Sequence, residues 1–153
     1  KPAYPMLNLL FVGWLTERKG IRELMQAFDA VSSTQQVKLT IAGGGDLAKE
    51  LDQWAHAHGD AVALAGWVES EQLLALYDQS DVLVLPSYAE GFPNVVIEAM
   101  ARGMPVIATR VGAIPDTLRS GENGVLIEAR DSAALADAFR HYIGQPGDLV
   151  CHG

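Results

Sequence analysis

The chain has 153 residues, 49% of them hydrophobic and 20% charged, with 11 Lys and Arg against 19 Asp and Glu for a net charge of −8. A chain of this size hides about 68–70% of its unfolded surface, enough for a core without disulfide or metal staples, and its single Cys151 suits a reducing compartment. The acidic balance argues against nucleic acid or an anionic bilayer as partner, but not against a small phosphorylated ligand held by backbone N–H groups and helix N-termini.

The chain opens on Lys1-Pro2-Ala3-Tyr4-Pro5 without an initiating Met or a signal-peptide pattern, so the expectation is a domain cut from a longer gene product. No apolar run approaches the ~20 residues that cross a bilayer. Leu7 to Val12 reads as a buried strand, followed by a helix over 20–32 and a second strand from Val37 to Ala42. Gly43-Gly44-Gly45 then leads into a helix over 46–57, for which Asp46 is placed as the cap. Val62 to Ala65 reads as a third buried strand, with a helix over 70–79 behind it. Val82 to Leu85 is a fourth, and Pro93 suits the first turn of a helix over 93–102.

Val106 to Thr109 and Val125 to Ile127 complete the set of apolar runs, separated by a short helix over 114–119 and the turn Glu122-Asn123-Gly124. Asp131 or Ser132 would cap the last helix, 131–143, whose Ala134, Leu135, Ala138, Phe139 and Tyr142 keep helical spacing. Continuous rather than alternating apolar strands are what a parallel sheet covered on both faces requires. The alternation therefore predicts a single α/β domain over 1–153, a doubly wound, Rossmann-like parallel sheet of six strands with helices on both faces, and a tail over 144–153 that frays.

Ligands of such sheets sit outside the carboxyl ends of the strands, so the loops after the apolar runs are the places to search. Gly43-Gly44-Gly45 leaves a strand and opens a helix, where unshielded N–H groups meet the positive end of the helix dipole. Gly43, Gly45 and Ala48 also fit G-x-G-x-x-A, and Glu69 follows the next strand as a ribose-binding acid would. A nicotinamide or flavin dinucleotide site is thus one reading, although that fingerprint belongs to the first strand–helix unit and here stands in the second. A ligand-free turn is another.

Glu90 and Glu98 are more informative. Glu90 follows an apolar strand in a loop with Gly91 and Pro93; Glu98 lies within the next helix, and Pro93 leaves the N–H groups of Asn94 and Val95 open toward the same cleft. Two carboxylates so placed would each accept hydrogen bonds from vicinal hydroxyls, such as those of a sugar and a ribose. For Glu98 the competing reading is an ordinary solvated helix residue, which its neighbours Val95, Val96, Ala99 and Met100 make less apt.

Phe11-Val12-Gly13 through Lys19-Gly20, Ile41 to Gly45, Ser80 to Ser87, Glu90 to Ala101 with its two glutamates eight apart, and Gly103 to Thr109 together resemble the C-terminal half of the group 1 (family 4) retaining glycosyltransferases of the GT-B fold. The resemblance spans nearly the whole chain. It implies a domain that binds a nucleoside diphosphate sugar as substrate, with no cofactor or metal, paired with an N-terminal acceptor-binding domain that this sequence lacks. Glu90 would face the donor sugar, Glu98 the ribose, and the N–H groups near Gly91, Phe92, Pro93, Asn94 and Val95 the sugar and diphosphate. Gly13, Gly44 and Gly45 would line the nucleotide, and Lys19 would neutralise the diphosphate. The resemblance also implies polysaccharide biosynthesis in the cytoplasm, with any membrane contact peripheral.

The family usually carries Arg where this sequence has Trp14, so one phosphate cation is missing. Arg18 is the candidate replacement, since a guanidinium suits phosphate well. Elsewhere the pattern excludes chemistry. Ser87 is not in G-x-S-x-G, no Gly-Lys-Ser/Thr follows the glycine run, and His56 and His58 are two apart, on different helix faces. A dinucleotide-dependent oxidoreductase domain and a noncatalytic binding module remain the rival readings.

Overall fold

A computed structural model of the chain describes residues 6–33 and 36–152. Six strands, β1 (Leu7–Val12), β2 (Val37–Ala42), β3 (Val62–Gly66), β4 (Val82–Leu85), β5 (Val106–Thr109) and β6 (Gly124–Ile127), form one parallel sheet in the order β3-β2-β1-β4-β5-β6. β1 is central, with Leu9 in register with Leu39 on one side and Val82 on the other. The helices are α1 (Ile21–Ser32), α2 (Ala48–His58), α3 (Ser70–Gln79), α4 (Asn94–Ala101), α5 (Ile114–Thr117), α6 (Ser132–Gly144) and α7 (Asp148–Cys151).

Right-handed crossovers place α1 and α2 on one face and α3 and α4 on the other. Side chains join each pair: Trp54 Nε1 donates to Asp29 Oδ1 at 2.9 Å across α1 and α2, and Arg102 donates to Asp78 at 2.7 Å across α4 and α3. α6 returns from the β6 edge to pack on α1. The doubly wound α/β sheet expected from the alternating runs is the one found.

The core follows from the strands that have neighbours on both sides. Leu10, Phe11, Val82, Leu83, Val84, Val106, Ile107 and Ala108 are fully buried, and each large side chain so removed from water contributes roughly 1.5–3 kcal/mol. β3 departs from the expectation of a buried strand: only Val62 is buried, and Ala63 to Gly66 are exposed. It lies at the sheet edge, and α3 packs over β1 instead of covering it.

Local signals held unevenly. Asp131 caps α6 by accepting the Ala134 N–H at 2.9 Å. Asp46 does not cap α2, which begins at Ala48 after Leu47; there the Leu47 N–H donates to the Leu15 carbonyl at 2.8 Å, so a tertiary contact fixes the helix start. Pro93 stands just ahead of α4, its carbonyl accepting the Val96 N–H at 3.1 Å. α5 stops at Thr117, two residues short of the expected end, because the Asn123 side chain holds the Thr117 carbonyl and the Arg119 N–H.

The tail is also corrected. Beyond Gly144 the chain turns into α7, where His141 pairs with Asp148 at 2.8 Å and the buried His152 bonds the Tyr142 hydroxyl at 2.9 Å. Leu149 packs against the core, which supplies the apolar contact that a frayed end lacks. Gly153 and residues 1–5 lie outside the described residues.

Candidate functional site

The strand order reverses between β1 and β4, which are neighbours in the sheet yet continue to opposite sides of it. That is where an open parallel sheet forms its crevice. The loop after β1 supplies Lys19 and the loop after β4 supplies Glu90. Lys19 Nζ lies 2.6 Å from Glu90 Oε1, and the Ser87 hydroxyl donates to the same oxygen at 2.7 Å. The Ser87 carbonyl in turn accepts the Thr109 hydroxyl at 2.6 Å, so the anchor of Glu90 reaches into β5. Among the described residues nothing is within hydrogen-bond distance of Glu90 Oε2, and that oxygen is left to accept from a ligand.

The backbone explains why the two loops meet. Glu17–Lys19 forms a 3-10 turn that ends on Gly20 at φ 73°, a left-handed conformation. A Cβ on Gly20 would overlap the Pro86 carbonyl, so the β1 loop presses directly onto the β4 loop only because this residue has none. The Tyr88 N–H then donates to the Arg18 carbonyl at 2.8 Å. On the far side Gly112, at φ 55°, leaves room for the Glu90 carbonyl, and the Ala113 N–H donates to the Gly91 carbonyl at 3.1 Å.

Glu98 sits on the exposed surface of α4, where its Oε2 accepts the Tyr77 hydroxyl at 3.0 Å. Burial, reinforced by the Glu98 hydrogen bond, pushes the Tyr77 phenol well above its ordinary range and keeps it a donor. Pro93 is buried, which holds the start of α4 against the sheet, while Gly91, Phe92 and Asn94 face outward and Val95 is half-buried. The open ledge therefore carries the Lys19–Glu90 pair and the start of α4, while Glu98 stands further along α4 on Tyr77.

The glycine loop divides the expectation. The Gly13 N–H donates to Ala42 at 3.0 Å and the Gly43 N–H to Gly66 at 2.8 Å, so both are spent on the fold. The N–H groups of Gly44 and Gly45 have no backbone acceptor among the described residues. Glu69, the acid a dinucleotide would need, is instead used in a capping box at the start of α3, its N–H donating to Gln72 Oε1 at 3.3 Å. The dinucleotide reading loses its ribose contact there.

Trp14 and Trp67 are both more than half exposed and meet edge to face with ring centroids 4.6 Å apart, above Gly44, where an added Cβ would lie 2.6 Å from the Trp67 indole nitrogen. Trp14 thus supplies aromatic surface where a cation was expected. Arg18 is exposed, with no side-chain partner among the described residues, while Lys19 is committed to Glu90. Tyr77 and Tyr88 were given no role by the sequence reading, and Ser87 was weighed there only as a nucleophile, not as the anchor of Glu90. A polar residue ending an apolar run was the available signal for Ser87; the partners of the two tyrosines lie too far away in sequence to suggest themselves.

The hollow lined by Asp52, Gln53, His56, Gly59, Val62 and Leu64 opens mainly at the amino end of β3 and has no convergent charged groups. It is not a rival site. Among the described residues no three His, Cys, Asp or Glu gather as a metal site, and no helix is long and apolar enough to cross a membrane.

The family model described as "Glycosyl transferases group 1" matches residues 7–145. The chain is 34% identical over 149 residues to the glycogen synthase of Mycobacterium tuberculosis, covering 95% of this chain and 36% of that one. The solved C-terminal domain of a group 1 glycosyl transferase, LpcC from Francisella tularensis, matches with TM-score 0.86 and 26% identity over 95% of this chain and 80% of that chain. Anabaena HepE, solved in complex with UDP, matches with TM-score 0.82 and 25% identity over 96% and 42% of the two chains. The chain spans about a third of the length of the curated relatives it matches.

Proposed function

The chain belongs to the group 1 glycosyl transferases and matches their C-terminal domain, and from this premise we propose that residues 1–153 form the donor-binding domain of a retaining enzyme. That enzyme moves a sugar from a nucleoside diphosphate to a glycan or lipid-linked acceptor in polysaccharide biosynthesis. The observation that carries the reading is the convergence of Lys19, Glu90 and α4 at the point where the strand order reverses. The UDP bound to HepE supports it by likeness.

In this reading the diphosphate lies between Lys19, Arg18 and the N–H groups at the start of α4, which stabilise the charge that develops as the nucleotide leaves. Glu90 orients the sugar by accepting from its hydroxyls through Oε2 and is not a nucleophile. Glu98 accepts from the ribose. The cations and the helix N-terminus supply the charge without a resident cofactor or metal. The acceptor comes from an N-terminal domain, so this chain alone transfers little or no sugar. The enzyme works in the cytoplasm, with peripheral membrane contact at most.

Calorimetric titration with UDP, GDP, ADP and NAD tests the reading. A nucleoside diphosphate should bind and NAD should not. Binding of NAD alone would favour the oxidoreductase alternative, and no response to any of the three diphosphates would overturn the proposal.

A further inference from the structure

We propose that Tyr88 is a positioning residue that fixes the placement of the sugar-side Glu90 relative to the diphosphate-side Lys19, an inference that rests on the donor-site reading above. Three stretches of chain converge on it. Its N–H donates to the Arg18 carbonyl at 2.8 Å, which ties the β4 loop to the turn ending in Lys19. Its hydroxyl donates at 2.5 Å to Glu23 Oε1 in the first turn of α1. The Arg130 guanidinium carbon stands 4.2 Å from its ring centroid, approaching from the loop between β6 and α6.

Two of these contacts are held against a cost. Arg130 has φ 64°, the left-handed backbone that a side chain of its size avoids, and it is the one non-glycine residue so placed among the described residues. Glu23 Oε2 is buried without a hydrogen-bond partner, so the phenol on Oε1 is the bond that compensates this carboxylate. Burial and Glu23 raise the phenol to about 12, and it stays a donor at neutral pH.

The neighbouring residue turns the other way. Ser87, fully buried, points inward to hold Glu90 Oε1, while Tyr88 reaches out to α1. Loss of the phenol hydroxyl frees one side of this grip two residues before Glu90. The shift falls on Glu90, so recognition of the sugar suffers more than recognition of the diphosphate.

Tyr88→Phe keeps the ring under Arg130 and removes only the hydroxyl. Calorimetry with UDP and UDP-glucose, and in parallel with GDP and GDP-mannose, should show the nucleotide sugar weakened five- to tenfold and the bare nucleotide less than twofold. Glu23→Gln, which keeps an acceptor for the phenol, should stay within twofold of the unsubstituted chain for both. Should Tyr88→Phe not fold, Glu23→Ala, which removes the same bond from the other side, should give the same split. Equal weakening of both ligands, or of neither, overturns the positioning role while leaving the donor site standing. If the unsubstituted chain binds none of the four ligands, the donor-site reading fails and this inference fails with it.

Discussion

Lys19 Nζ and Glu90 Oε1 close an ion pair at 2.6 Å between residues 71 apart in the chain, and the Glu90 side chain is only 10% exposed. That pair is thus charge-neutral before any ligand arrives. A diphosphate must draw Lys19 away from a carboxylate, whereas a sugar gives that carboxylate new donors. Recognition of the two halves of a nucleotide sugar is coupled through this one contact.

Glu90→Gln removes the competing charge and leaves Lys19 to the phosphates. UDP should bind more tightly, by roughly fivefold for a pair worth about 1 kcal/mol, while the added affinity given by glucose in UDP-glucose falls. Titration calorimetry reads both, and weaker UDP binding by Glu90→Gln would contradict the coupling.

Arg18→Ala tests whether the exposed guanidinium takes over from the cation that Trp14 displaces. With no side-chain partner of its own among the described residues, Arg18 should contribute a salt-sensitive share, so its removal should weaken UDP about fivefold at low ionic strength and less at high. Lys19→Ala should weaken UDP as well. An unchanged affinity in Arg18→Ala beside a loss in Lys19→Ala would show that Arg18 does not compensate.

Alkaline stability follows from the tyrosines. The Tyr88 phenol rises from 10.0 to about 12, chiefly by burial and then through Glu23, and burial also raises Tyr77 and Tyr142. Unfolded phenols ionise near pH 10 while the folded ones keep their protons, so the unfolded state binds fewer protons. Stability is fully present below about pH 10 and is lost as the pH rises toward 12. Urea unfolding at pH 8 to 11 should show this fall, and Tyr88→Phe should make it shallower while Tyr77 and Tyr142 keep their share.

Gly112→Ala should damage the donor site and Gly59→Ala should not, although their φ values, 55° and 56°, match. A Cβ at Gly59 meets nothing, so the cost there is backbone strain alone, at φ 56° and ψ −129°. At Gly112 it would overlap the Glu90 carbonyl, which adds a packing cost of order 1–3 kcal/mol and displaces Glu90. Urea melts give the stability difference. UDP-glucose binding should survive only in Gly59→Ala.

The sheet was legible because β1, β4 and β5 are nearly continuous apolar runs, interrupted only by Asn8 and ended by Thr109, as strands of a parallel sheet covered on both faces are. The exposure of β3 was not, since Val62 to Ala65 reads like any interior strand and only the strand order puts it at the edge. Asp46 illustrates the same limit: its residue type suits a cap, but Leu15 already fixes the start of α2. Lys19, Glu90 and Glu98 could be named through the family pattern. What the sequence did not reveal was that Lys19 bonds Glu90, that Tyr77 bonds Glu98, and that Tyr88 bonds Glu23, because those partners lie 71, 21 and 65 residues apart and topology alone brings them together.

The central claim is that the ledge between β1 and β4 binds a nucleoside diphosphate sugar with its ribose on Glu98. Paired calorimetric titrations of UDP, GDP and ADP into the unsubstituted chain and into Glu98→Ala test it most directly. One diphosphate should bind, and Glu98→Ala should weaken it about tenfold, the effect of losing a charge-assisted hydrogen bond worth roughly 1.5 kcal/mol. Binding of the same strength in Glu98→Ala, or no binding by the unsubstituted chain, would contradict the claim.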